Sequence, residues 1–483
     1  MEIILFGGRM ADFIGRIEEK LEITKCMESD RSEFVVVYGR RRVGKTALIR
    51  NYFNDSYDFR FVGARNCSTA IQLKNFSEEL SRFSKEAYPV PSTWMEAFRL
   101  LEGYLEKCVS RKKVVFIDEM PWIDNKQSGF VQALEYFWNS WVAFRDDIVL
   151  IACGSSSSWM VNNLVENQGG LHNRITRQIH LSPFTLYECK LYLQSRGFDW
   201  DDYQIIQCYM TFGGVPFYLS LLDPVFSLEQ NINQLMFKNG SSLQREFDEL
   251  YTALFNCADK YVAVVEALAK KRKGLQKKEI AEITGVSGGR LTHILANLER
   301  SDFIMSMAQF GKNVKNTAYK LVDFYTLFYY KFVKNNNSKD ENFWLHHFND
   351  ASVVSWRGFS FEQVCLLHLR QIKKALGISG MATAVSTWRY VPENDGESGT
   401  QIDLLIDRVD RMIHLCEIKF TNGQYAISKD YAEKLKARAS VFKVTSKTRK
   451  SLVHTFVTVD GVLKNNHSSL LHSEVTAKDL FEP

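Results

Sequence analysis

Phe34-Val35-Val36-Val37-Tyr38-Gly39-Arg40-Arg41-Arg42-Val43-Gly44-Lys45-Thr46-Ala47-Leu48-Ile49-Arg50 is the stretch on which the reading of this chain turns. The apolar run reads as a buried strand, the glycine-bounded segment as a loop, and Lys45 and Thr46 as the start of a helix. The spacing G-x4-G-K-T gathers backbone N–H groups into a nest at a helix N-terminus, where a polyphosphate binds. In such a loop Gly39 and Gly44 bound the nest and Lys45 neutralises β- and γ-phosphate oxygens. The Thr46 hydroxyl enters the coordination shell of Mg²⁺.

Other strand ends complete the pattern. Val114 to Ile117 is an apolar strand closed by Asp118 and Glu119. There Asp118 is expected to hold Mg²⁺, directly or through water, and Glu119 to polarise the attacking water. Ile148 to Cys153 runs into Gly154-Ser155-Ser156. A hydroxyl here, Ser155 or Ser156, is placed to sense the γ-phosphate. Arg174 and Arg177 precede a further strand, Gln178 to Leu181. One of them is a candidate arginine finger, in cis or across a subunit interface, against the reading as a solvated surface charge. Ahead of the first strand, Phe13-Ile14-Gly15-Arg16 is a loop entering an amphipathic helix at Ile17.

At 483 residues the chain exceeds a single core and points to about three domains. Nine cysteines lie scattered without a C-x-x-C pair, so neither a zinc knuckle nor a disulfide framework is indicated and a reducing cytoplasm fits. No signal sequence and no span of about 20 apolar residues is present, so the expectation is a cytoplasmic protein with no membrane association. Net charge is only +5, but the basic residues cluster.

Gly15-Arg16, the phosphate loop, Asp118-Glu119, Gly154-Ser155-Ser156 and Gly213-Gly214-Val215-Pro216 together resemble archaeal-type AAA+ ATPases of the STAND clade. The resemblance covers roughly the first half of the chain. It implies an α/β protein with a P-loop parallel-sheet ATPase core, ATP and Mg²⁺ as cofactors, and a Gly-x-Pro element, here Gly214 and Pro216, near the nucleotide. The expected domains are an ATPase core over 1–182, a helical lid over 183–255, a winged helix over 256–335 and a last domain over 340–483.

The winged-helix expectation rests on short amphipathic helices over Tyr261 to Ala269, Lys277 to Ile283 and Arg290 to Arg300. Strands at Phe303 to Met305 and Thr317 to Lys320 would form the wing around Gly311. Arg290, Thr292, His293 and Asn297 are read as polar positions of the third helix. Lys270-Lys271-Arg272-Lys273 with Lys277-Lys278 is a basic cluster without an acid, suited to DNA phosphates or to plain solvation. The aromatic run Phe324 to Tyr330 reads as a buried helix.

Beyond the polar stretch Asn335 to Asp340, Gly358 to Leu367 reads as an amphipathic helix carrying Glu362. Gln401 to Asp407 and Met412 to Phe420 read as a hairpin of two apolar strands. Alternation puts Glu417 and Lys419 on one face, within reach of Asp403 on the neighbouring strand. Two or three carboxylates converging there would bind Mg²⁺ and activate water, and the adjacent ammonium would offset developing charge. This arrangement resembles the PD-(D/E)XK nuclease superfamily, in particular the C-terminal domain that accompanies archaeal-type ATPases. The resemblance gives Asp403 the metal-binding position, Glu417 and Lys419 the E-x-K pair, and Glu362 the helix acid. Gln424 and Tyr425 fall where a further polar residue is often placed. Ile402 departs from the eponymous proline. From Lys429 to Lys450, eight basic residues face only Asp430 and Glu433.

These readings combine into an α/β restriction-endonuclease-like domain under the control of an ATPase, acting on DNA, with a homo-oligomer or protein partner engaged through the ATPase. A role in mobile-element or phage conflict is what the resemblance implies. The rival reading is an ATP-operated switch or DNA-binding regulator with an inactive nuclease fold. A third is a remodelling ATPase that acts on proteins.

Overall fold

The computed structural model describes residues 13–125, 127–166, 169–255, 257–312, 317–334, 336, 338, 340–390 and 399–483. It divides into two compact units. The first runs through Pro183 with short pieces at 254–256 and 300–302, and the second holds the remainder.

In the first unit, β1 (Glu33–Tyr38), β2 (Phe59–Val62), β3 (Lys113–Asp118), β4 (Ile148–Gly154) and β5 (Arg177–His180) form a wholly parallel sheet of order β2-β3-β4-β1-β5. A parallel sheet is covered by helices on both faces, so its strands are apolar throughout. Alternation in β1 sends Phe34 and Val36 into a core with Phe76, Trp94, Phe98 and Phe137, and Val35 and Val37 into a second core with Ile23, Leu48 and Ile49. Placing β4 between β1 and β3 brings three carboxyl-terminal strand ends side by side, where ligands bind in open α/β sheets.

The second unit begins with helices Leu186–Ser195, Asp202–Phe212, Pro216–Ser220 and Leu228–Met236. Three of them start with reciprocal capping boxes, Thr185 with Glu188, Asp201 with Gln204 and Ser227 with Gln230. Pro216 opens the short helix and, just before it, Gly214 meets backbone directly. Its carbonyl accepts the Phe184 N–H at 2.6 Å, and a Cβ there would lie 2.0 Å from the Phe184 carbonyl oxygen. Any side chain would force the two strands of backbone apart.

Helices Ala258–Ala269, Lys277–Thr284 and Gly288–Arg300 follow, together with a small antiparallel sheet. It consists of β6 (Leu275–Gln276), β7 (Ile304–Met307) and β8 (Ala318–Leu321), with β8 in the middle. Arg290, Thr292 and His293 are exposed, as read from sequence. Asn297 is not: it is buried and donates to the Tyr261 hydroxyl at 2.7 Å, so its amide serves the core. Position 297 falls one turn from Ile294 on the inward stripe. Lys270 also departs from the sequence reading, pairing with Glu266 one turn earlier at 3.0 Å. Phe324–Phe328 is a buried helix.

The last sheet has the order β13-β12-β11-β10-β9. Its strands are β9 (Thr383–Tyr390), β10 (Thr400–Arg408), β11 (Met412–Lys419), β12 (Ser451–Thr458) and β13 (Leu471–Val475). β9, β10 and β11 are antiparallel neighbours, with Leu404 opposite Cys416, whereas β11, β12 and β13 run parallel. The parallel step from β11 to β12 requires a crossover, supplied by helix Lys429–Ser446. Helix Ala351–Leu367 packs on β11.

His368 ends that helix, fully buried. Its Nε2 accepts the Leu186 N–H at 3.0 Å, and its other ring nitrogen lies 2.8 Å from the Val364 carbonyl, to which it donates. Burial lowers its pKa from 6.5 to about 4. Between those values the unfolded chain binds a proton that the native one does not, so the ring's contribution is complete above pH 6.5 and is lost on acidification toward pH 4. Urea unfolding is expected to show up to about 3 kcal/mol of destabilisation from this group over that window, and His368→Gln should remove that part of the pH slope.

Candidate functional site

At the carboxyl ends of β1, β3 and β4 the residues singled out in the first unit come together. Gly39 leaves β1 with φ 152°, and a Cβ there would sit 2.2 Å from the Leu181 carbonyl oxygen. Gly44 caps helix Lys45–Tyr52. Lys45 is buried, and its Nζ donates to the Gly39 and Arg40 carbonyls at 2.9 Å each, folding the side chain back over the loop. Burial pulls its pKa down, while Cys153, Glu119 and Asp118 act in the opposite direction.

Thr46 Oγ1 donates to Asp118 Oδ2 at 2.8 Å. A hydroxyl and a carboxylate side by side are the hard oxygen donors that Mg²⁺ takes, so this pair fits that ion. Glu119 has left-handed backbone, φ 49° and ψ 45°. Its Oε2 accepts from the Ser155 N–H at 3.1 Å and the Ser155 hydroxyl at 2.8 Å. Ser155 therefore holds the Glu119 carboxylate in place. Arg16 is buried and donates to the Val43 carbonyl at 3.2 Å and the Ser182 carbonyl at 2.7 Å, tying the phosphate loop to the chain beyond β5. Arg177 stands at the start of β5, opposite Val35, and lies 3.5 Å from Glu22. Its side chain is held there beside helix Ile17–Glu28. Arg174 is exposed. Pro216 belongs to the second unit.

Within the second unit, a cavity of about 550 Å³ is lined by Glu362, Asp403 and Lys419, joined by Lys320 from β8. Asp403 Oδ1 accepts from Gln401 Nε2 at 2.9 Å. Burial and the neighbouring Asp403 raise the Glu362 pKa to about 8, and burial likewise raises Asp403 against the pull of Lys320. Glu417 behaves differently. Burial favours its neutral form, but Lys419 at 2.8 Å and Arg438 at 2.7 Å outweigh it and hold the carboxyl below its usual range. The Tyr431 hydroxyl donates to it as well.

Among the described residues no group of three His, Cys, Asp or Glu side chains converges to hold a metal. Of the carboxylates expected to converge, Glu362 and Asp403 share the cavity, and Glu417 beside them accepts from two cations and a phenol. Mg²⁺ commonly takes one or two protein carboxylates and completes its shell with water or phosphate oxygens, so the remaining pair fits it. Gln424 is exposed, and Tyr425 packs against Tyr431 and Phe456.

Residues 13–222 match a family model described as an ATPase domain predominantly from Archaea. These residues are an archaeal-type ATPase domain. The chain is also 23% identical over 414 residues to an uncharacterized protein of Methanocaldococcus jannaschii, an alignment covering 84% of this chain and 87% of that protein. An alignment of that length extends past the ATPase domain into the later sheets. Among solved structures the chain is similar to the Walker-type ATPase PABY2304 of Pyrococcus abyssi, with a TM-score of 0.48 and 18% identity over 66% of this chain and 96% of that one. The ORC2 protein of Aeropyrum pernix gives a TM-score of 0.40 and 13% identity over 68% of this chain and 97% of that one.

Outside the ATPase domain, sequence reading missed Lys320, Tyr431 and Arg438. Tyr431 and Arg438 carried a usable signal: seven residues apart on the helix after the E-x-K strand, they share its inward face. Lys320 carried none. Arg438→Ala removes one of the two cations on a mostly buried carboxylate, and should destabilise the second unit by about 1–3 kcal/mol in urea unfolding. Arg438→Lys should recover part of that loss.

Proposed function

We propose that the archaeal-type ATPase domain governs, through its nucleotide state, a C-terminal Mg²⁺-dependent nuclease-like domain that acts on DNA. The ATPase domain binds and hydrolyses ATP. On this reading Lys45 and the loop amides bind the β- and γ-phosphates, and Thr46 and Asp118 hold Mg²⁺. Glu119, aimed by Ser155, takes the proton from the attacking water. Gly214 and Pro216 relay nucleotide state to the helical segment that follows, as STAND-type ATPases imply.

The observation that carries the nuclease half is that Glu362, Asp403 and Lys419 reach one cavity from a helix and two adjacent strands. Asp403 and Glu362 would hold Mg²⁺, which supplies charge neutralisation at a phosphodiester and a water of lowered pKa. Lys419 offsets charge developing on the phosphate, and Glu417 keeps that ammonium protonated and in place. The three-helix segment with its antiparallel wing is read as a winged helix, its exposed Arg290, Thr292 and His293 being available to DNA phosphates. Free thiols at all nine cysteines accord with a cytoplasmic setting. Among the described residues no helix is long and apolar enough to cross a membrane.

One observation favours the second reading, an ATP-operated switch or DNA-binding regulator with a retained but inactive nuclease fold. Glu417 already accepts from Lys419, Arg438 and Tyr431, which compete with a metal for its oxygens.

Two measurements test the proposal. Phosphate release should be abolished in Lys45→Ala and fall roughly 10²- to 10⁴-fold in Glu119→Gln. Ser155→Ala should reduce kcat while leaving ATP affinity unchanged. In the second measurement, plasmid and linear DNA are incubated with Mg²⁺ or Mn²⁺ and ATP. Metal-dependent strand cleavage that disappears in Lys419→Ala supports the nuclease, whereas DNA retardation without cleavage under any nucleotide supports the switch.

A further inference from the structure

The cavity that holds Glu362 and Asp403 is walled by two separate parts of the second unit, and both seams between them are closed. On one side Arg272, from the turn after helix Ala258–Ala269, reaches helix Ala351–Leu367. Its Nη1 lies 3.4 Å from Ser355 Oγ, and its guanidinium lies 5.4 Å from the centre of the Phe359 ring. On the other side the chain after β7 pairs with β9. Phe310 N–H donates to the Thr387 carbonyl at 2.8 Å, Thr387 N–H donates to the Ala308 carbonyl at 3.0 Å, and the Phe310 ring packs on Phe442 at 5.1 Å.

A second cavity of about 400 Å³ adjoins the first and shares Lys273, Arg389 and Gln401 with it. Strand β9 runs along both. Trp388 lines the first, Arg389 lines both, and Tyr390 lines the second beside Arg438. The Trp388 and Tyr390 rings are nearly parallel, at 10° and 6.4 Å. Cations therefore stand along the walls, from Lys273 past Arg389 to Arg438, while carboxylates occupy the end where Lys419 lies.

Resting on the nuclease-like reading of this site, we propose that the cleft accepts one polynucleotide strand at a time and excludes an intact duplex. Cavities of these volumes fall in the range of about 300–1,000 Å³ that holds small ligands. A double helix has a major groove alone about 12 Å wide and cannot enter without both seams parting. A single strand needs only a track of cations for its phosphates and aromatic faces for its bases. Lys273 and Arg389 supply the first, and Tyr390 the second, while Trp388 is packed into the core against Phe442 and Arg438 is paired with Glu417. The scissile phosphate then arrives at Asp403 and Lys419 from the Arg438 end. DNA and RNA share the chemistry recognised here, and the test separates them.

The test is fluorescence anisotropy of the full chain with labelled oligonucleotides, in Ca²⁺ in place of Mg²⁺ and at fixed salt. The probes are single-stranded DNA, single-stranded RNA, a blunt DNA duplex and the same duplex with a single-stranded overhang. Single strands and the overhang are expected to bind at least tenfold more tightly than the blunt duplex. Lys273→Glu and Arg389→Glu, both at exposed positions, should each weaken strand binding severalfold without changing ATP turnover. A preference between the DNA and RNA strands identifies the natural one and supports the assignment either way. Equal or tighter binding of the blunt duplex, or strand binding indifferent to both variants, overturns the single-strand assignment and leaves the nuclease-like reading standing. Failure of every probe to bind overturns both.

Discussion

The hydrogen bond from the Thr46 hydroxyl to the Asp118 carboxylate joins two points 72 residues apart at 2.8 Å, and the first unit is arranged so that it can form. β1 delivers the helix that starts at Lys45, β3 delivers the carboxylate, and β4 separates them in the sheet. Because β4 lies between, its own end brings Ser155 to the same edge, where it grips Glu119. Strand order thus sets the chemistry. Had β3 and β1 been adjacent, Ser155 would have had no place beside them, and the residue after Asp118 would have lacked its two donors.

Charge in the second unit is distributed by the same logic of shared edges. Glu417 and Lys419 point to one side of β11, and Arg438 and Tyr431 descend on them from the crossover helix. The result is a compensated group in which the carboxylate stays ionised despite its burial, because the cations recover what desolvation removes. Glu362 and Asp403 also feel cations, Lys320 on both, Lys419 on the first and Arg438 and Lys273 on the second, but burial outweighs them and pushes both acids toward neutrality. The three acids of one sheet and helix therefore divide, Glu417 held ionised and Glu362 and Asp403 pushed the other way.

Elements marked by contiguous apolar runs were legible in the sequence. β1, β3, β4 and the β10–β11 pair each combine such a run with a glycine, an acid or a short turn at its end. The glycine-bounded loop added a spacing that few other structures tolerate, and its geometry at Gly39 gives the reason. β9, β12 and β13 were not legible, because their burial comes from neighbours far along the chain. Thr383 to Tyr390 is only partly inward-facing and mixes serine and threonine with its aromatics. Asn297 misled for a related reason: a polar residue on an inward stripe looks like a surface residue until Tyr261 is brought beside it. Lys320 lies 83 positions from Asp403, and no local pattern links them.

Glu119 carries a cost that has a longer consequence. A glutamate held in left-handed backbone gives up about 1–3 kcal/mol relative to ordinary conformations, and the two donors of Ser155 hold it there. Glycine at that position would relax the chain and lose the carboxylate. With Glu119 as the proposed general base, selection for rigidity and selection for turnover pull in opposite directions at a single residue, and the sturdiest version of this fold would be an inert one.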